Sequence, residues 1–138
     1  MSYNTVMVAL AARGDEKVVI EEAVKLAKSS SAALVAVHVN DPHAGEMSMM
    51  MDSAGPRLDE EDIRQRFREY GFLDEAEEIE VRIITGGNIS TLLAEQTEEV
   101  DMLVLGHRRM STFKSNLMDS VDEGIVNHAK CPVLVVPK

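Results

Sequence analysis

The chain has 138 residues, 45% apolar and 28% charged, with 24 acids against 14 lysines and arginines and a formal net charge of −10. That length fits one domain over residues 1–138, able to bury roughly two-thirds of its unfolded surface. The apolar content excludes a disordered chain, no apolar run approaches the ~20 residues of a membrane span, and the acid surplus excludes general nucleic-acid binding.

Thr5 to Ala11 is a short apolar run with β-branched residues and reads as a buried strand. Arg13-Gly14-Asp15 breaks it. A helix is predicted from there to Ser29, with Val19, Ala23, Leu26 and Ala27 on one face. Ala32 to Val39 is a second continuous apolar strand. Neither strand alternates with polar residues, which predicts a sheet covered on both faces and hence parallel strands. Asn40 to Pro56 is an excursion that includes Glu46-Met-Ser-Met-Met-Met51. Those methionines could line a partner surface or pack a loop over the sheet, and both uses stay open.

Asp59 to Ala76 reads as one helix with acids in its first turn, where the macrodipole favours them. Ile63, Phe67, and Tyr70 or Leu73 are expected to face the sheet. Ile79 to Thr85 alternates and makes a third strand, and Gly86-Gly87-Asn88 a turn and N-cap. Ile89 to Glu99 follows as a helix burying Ile89, Leu92 and Leu93. Asp101 to Gly106 is strand four, Ser120 to His128 helix four, and Pro132 to Val136 strand five. Strand and helix alternate throughout, so the fold class is α/β with right-handed crossovers. Ligands of such sheets bind at the carboxyl ends of strands where strand order reverses, which singles out the loops after Ala11, Val39 and Gly106.

Charge is unevenly placed. Asp74 to Glu80 holds five carboxylates, whereas His107 to Met118 holds Arg108, Arg109 and Lys114 with no acid. A lone cysteine, Cys131, allows no internal disulfide and fits a reducing cytoplasm. The amino terminus lacks a basic and apolar leader, so the Asn88-Ile89-Ser90 sequon is not expected to be glycosylated. His38, His43, His107 and His128 lack metal-ligand spacing, and His38 reads as a core or sheet-end residue. Cys131 reads as a small buried hydrophobe. No Walker A loop, Gly-x-Gly-x-x-Gly turn or Gly-x-Ser-x-Gly elbow occurs, so no catalytic set is discerned and the chain is not expected to be an enzyme.

Four segments in order resemble the universal stress protein family along essentially the whole chain. They are Val6-Met-Val-Ala-Leu, Ala36-Val-His-Val39, Met102-Leu-Val-Leu-Gly106 and Cys131-Pro-Val-Leu-Val-Val136. The resemblance implies a Rossmann-like open five-stranded parallel sheet with helices on both faces, in strand order 3-2-1-4-5. Nucleotide-binding members have an acid ending the first strand, a valine ending the second, and a loop of Gly, two residues, Gly, nine residues, then Gly and Ser or Thr. Laid on this sequence, the valine is Val39, the first glycine Gly106, and the serine Ser120. The acid falls on Ala11, and the other glycines fall on Arg109 and Asp119.

Each replacement removes something physical. Arginine crowds the backbone approach that glycine permits, and Ala11 cannot bond a ribose hydroxyl. Asp119 puts a negative charge at a helix N-terminus, where a phosphate about 4 Å away would meet roughly 1 to 4 kcal/mol of repulsion. Gly106-His107, then Leu117-Met118 and Ser120, resemble the A-type subgroup, whose members lack the glycine loop and are regarded as not binding ATP. That resemblance implies a stress-response regulator with a degenerate nucleotide site and no cofactor, acting through unknown protein partners or phosphorylation at Ser111, Thr112, Ser115 or Ser120. The rival expectation is an ATP- or AMP-binding switch in which His107, Arg108, Arg109 and Lys114 hold the anion by charge. Ion pairing with the surplus acids is the plainer use of those cations. Ser120 could touch phosphate, but Ser120-Val-Asp-Glu123 matches a capping box, which favours the cap. Strand five, Pro132, Val133, Leu134, Val135 and Val136, is apolar and expected at a sheet edge. Such an edge aggregates unless covered, which together with the resemblance predicts a homodimer.

Overall fold

Five apolar runs become the strands of one sheet. The computed structural model describes residues 3–11, 16–45, 56–107 and 120–137, with the side chains of 120–123 outside the description. In chain order the elements are β1 (Thr5–Ala9), α1 (Lys17–Ser30), β2 (Ala33–Asn40), α2 (Glu60–Glu69), α3 (Leu73–Glu78) and β3 (Glu80–Thr85). Then come α4 (Ile89–Gln96), a 3₁₀ turn (Thr97–Glu99), β4 (Met102–His107), α5 (Ser120–His128) and β5 (Val133–Pro137). All strand pairs are parallel and the order is β3-β2-β1-β4-β5, as expected.

Alternate side chains of each buried strand feed two cores. Val6, Val8 and Ala36 meet Val19, Ile20, Ala23 and Val24 of α1, with Ile63, Phe67 and Ala76 from α2 and α3. Met7, Val35, Val37, Leu103 and Leu105 meet Leu93 of α4 and Ile125 of α5 on the other face. Each fully buried Val, Leu or Ile contributes about 1.5–3 kcal/mol, far above an exposed ion pair, so these two cores hold the sheet.

Several expected boundaries move. β1 ends at Ala9 rather than Ala11, while β2 runs on to Asn40 and β4 to His107. β5 shifts one residue, to Val133–Pro137, and α4 ends at Gln96, tightening into the 3₁₀ turn. The expected helix from Asp59 to Ala76 is two helices. Gly71 takes φ +90°, Phe72 N–H donates to Phe67 O at 2.9 Å, and Gly71 N–H to Arg68 O at 3.0 Å. That bond pattern stops α2 and turns the chain into α3. Ile63 and Phe67 are buried and Tyr70 packs against the core as expected, but the turn leaves Leu73 62% exposed.

α2 starts at a capping box in which Asp59 and Asp62 each accept the other's backbone N–H at 2.9 Å. α3 is tied back by Arg64, whose Nη1 donates to Ala76 O at 2.6 Å. Among the described residues no helix is long and apolar enough to cross a membrane.

Candidate functional site

The chain steps outward from β1 to β2 and β3, then returns to lay β4 against the other side of β1. The helices after β1 and β4 pack on opposite faces, since α1 belongs to one core and α5 to the other. The carboxyl ends of β1 and β4 therefore mark the reversal point of the sheet, the crevice position at which open parallel sheets bind ligands.

Around it stand the residues expected from the sequence. Val39 is half-buried, in register with Ile84, and packs toward the α4–α5 core. Gly106 and His107 end β4, in register with Val136 and Pro137. Ser120 opens α5. Ala11 leaves β1 exposed. Arg108, Arg109, Lys114 and Asp119 lie outside the described residues, as do Met47 to Met51 and the side chains of the Ser120–Glu123 capping box.

Two features were missed from sequence. Ala11 N–H donates at 2.9 Å to Oε2 of Glu16, which stands at the head of α1 and is 5% exposed. A carboxylate thus reaches the end of β1 from five residues further on. The available signal was an acid immediately ahead of the first helical residues. The second feature is a buried polar network at the end of β2. Asn40 Nδ2 donates to Leu58 O at 2.8 Å, and Leu58 N–H donates to Asn40 Oδ1 at 3.1 Å. His38, 7% exposed, places Nδ1 2.7 Å from Leu10 O and Nε2 3.1 Å from Asn40 Oδ1. His38 is the sheet-end residue expected, and it joins β1 to the chain returning at Leu58.

Cys131 is half-buried against the α4–α5 core. Burial pushes its thiol above the ordinary value of 9.0, and the Asp101 charge adds to the effect, so it stays protonated near neutral pH. Among the described residues no group of three or more histidines, cysteines and acids could hold a metal ion. A separate groove opens at the amino ends of β1, β2 and β3, away from the crevice. Its walls include ion-paired side chains, Lys28 with Glu75 and Arg82 with Glu99.

An open parallel sheet with a crevice at its reversal point defines a Rossmann-like α/β protein. Within that class the chain belongs to the universal stress protein family, whose model matches residues 2–137. No curated protein matches the chain significantly. A solved universal stress protein in complex with cAMP is similar at 24% identity and TM-score 0.71, over 99% of this chain and 98% of that one. Universal stress protein UspA from Lactobacillus plantarum is similar at 23% identity and TM-score 0.66, over 99% of both chains. The universal stress protein from Archaeoglobus fulgidus in complex with dAMP is similar at 18% identity and TM-score 0.58, again over 99% of both chains. At these identities the likenesses speak for the fold.

Proposed function

We propose that this chain is an A-type universal stress protein, a non-enzymatic cytoplasmic stress-response regulator. It acts as a homodimer through protein contacts or phosphorylation, with a degenerate nucleotide site and no cofactor. The observation that supports this best is at the end of β1. Ala11 offers no acid, and the nearest described carboxylate, Glu16, is buried and engaged by the Ala11 N–H. The sequence adds Arg109 and Asp119 at positions where glycine would let phosphate approach.

The test is calorimetric titration with ATP and Mg²⁺ of protein from which no nucleotide co-purifies. The expected outcome is no binding heat at millimolar ATP. Micromolar binding would overturn the degenerate site.

A second reading draws on two similar structures that are complexes, one with cAMP and one with dAMP. Here the chain is a nucleotide switch framed by Val39 and Gly106, with Arg108, Arg109 and Lys114 supplying charge in place of the glycine loop. Binding of this kind weakens with salt and disappears in the Arg108→Ala, Arg109→Ala double variant. Binding that ignores both changes would rule out the charged-loop mechanism.

A further inference from the structure

The groove at the amino end of the sheet follows from strand stagger. β1 joins β2 at Thr5 and Ala33, but β3 joins it only at Val35 and Glu80. Ala33 and Leu34 therefore have no register partner in β3, because the chain ahead of that strand is the helix α3. The space left is about 590 Å³, within the roughly 300–1,000 Å³ typical of small-molecule sites. It lies at the opposite end of the strands from Val39 and Gly106. Ala27, Leu34 and Ile79 give it an apolar floor.

Charge stands at its two ends rather than in one place. Glu75 and Glu78 come from α3, on the face of the sheet that α1 covers. Val81 and Ile83 pack into that same core, so Glu80 and Arg82, which alternate with them, point to the opposite face. There Arg82 Nη1 donates to Gln96 Oε1 at 3.1 Å and lies 3.3 Å from Glu99 Oε2. Four carboxylates, two at each end, thus meet two cations, Lys28 and Arg82. The Lys28 side chain is 67% exposed, so its bond to Glu75 is a weak surface pair that another cation readily displaces.

We propose that this groove binds a linear aliphatic polyamine. The chain of the ligand lies beneath the ends of β2 and β3, with one ammonium at Glu75 and Glu78 and another at Glu80 and Glu99. Its methylenes rest on the apolar floor. The lining selects this class. A single ammonium reaches the carboxylates of one end only. A hydrated magnesium ion keeps its waters and gains nothing from Leu34 and Ile79. Methylenes between two charges use both features, as a lysine stem lies on apolar surface with its charge in water. The net charge of −10 draws such cations toward the chain, and the groove holds them. The site stands whether or not a nucleotide binds at the crevice.

Nitrogen-15 NMR titration of the full chain with spermidine, at fixed ionic strength, tests this. Amide shifts should centre on Leu34, Ile79, Glu80 and Glu99 and should saturate. Butylamine and Mg²⁺ should not reproduce them. Glu78→Gln with Glu99→Gln removes one exposed carboxylate from each end and should weaken binding about tenfold. Glu21→Gln with Glu69→Gln makes the same charge change at exposed positions of α1 and α2 outside the groove, and should leave binding unchanged. Shifts that spread over the surface without saturating overturn the proposal, as do equal shifts with butylamine or Mg²⁺. So does equal weakening in the two double variants, or none in Glu78→Gln with Glu99→Gln.

Discussion

Glu75 on α3 receives Lys28 from α1 at 2.9 Å, and that hydrogen bond holds its carboxyl below the ordinary value of 4.5. A depressed carboxyl stabilises the folded chain above its unfolded value, and this contribution is lost as pH falls through the lowered folded value. The Lys28 side chain is mostly exposed, so solvent screening keeps the effect below about 1 kcal/mol. Glu75→Gln should lower the urea midpoint slightly at neutral pH and leave it unchanged at acid extremes, flattening the acid limb of a midpoint-against-pH profile. An acid limb as steep as the wild type's would show that the pair adds nothing.

At the scale of elements, α4 and α5 cross where Gly124 meets Ser90. A Cβ at 124 would lie 2.7 Å from Ser90 Oγ and 2.8 Å from Ser90 Cβ. Overpacking of this kind costs about 1–3 kcal/mol, against about 1 kcal/mol that alanine returns in helix propensity, so packing wins. Gly124→Ala should lose about 1 kcal/mol in urea unfolding, and a cycle with Ser90→Gly should show coupling of at least about 0.5 kcal/mol. Strict additivity would mean the helices separate freely. Glycine also marks where the fold was hard to read. Continuous apolar runs announced buried parallel strands, and the family resemblance supplied their order. Yet the apolar spacing of Ile63, Phe67 and Tyr70 runs smoothly into Leu73, so periodicity concealed the break that the positive φ of Gly71 imposes. Val39 and Gly106 lie one residue short of their strand ends and Ser120 opens α5, positions that the apolar runs marked in the sequence. Glu16 was not legible, because its side chain reaches back to a strand end. The Asn40–Leu58 pairing joins residues 18 apart through a side chain, and such a bond leaves no period in the sequence.

Over the whole molecule the two sheet edges differ in kind. β3 bears Glu80 and Arg82, with Arg82 also paired to Glu99 at 3.3 Å, and a charged edge resists pairing with another strand. Among the described residues β5 pairs with β4 on one side only, and its Leu134 is 37% exposed between half-buried Val133 and Val135. Its outer edge therefore suits a second copy, with two-fold symmetry burying the same patch on each chain. In the proposed homodimer each copy would bring a net charge of −10, so apolar and backbone contacts at this edge would have to outweigh mutual repulsion. Sedimentation of the wild type should show a dimer that added salt strengthens, because screening weakens the repulsion. Leu134→Lys should give a monomer even though it reduces the overall negative charge. Leu73→Lys makes the same charge change on the exposed start of α3 and should leave the dimer intact. If Leu134→Lys still dimerises, the contact lies elsewhere. If both variants dissociate it, charge and not the β5 edge governs association.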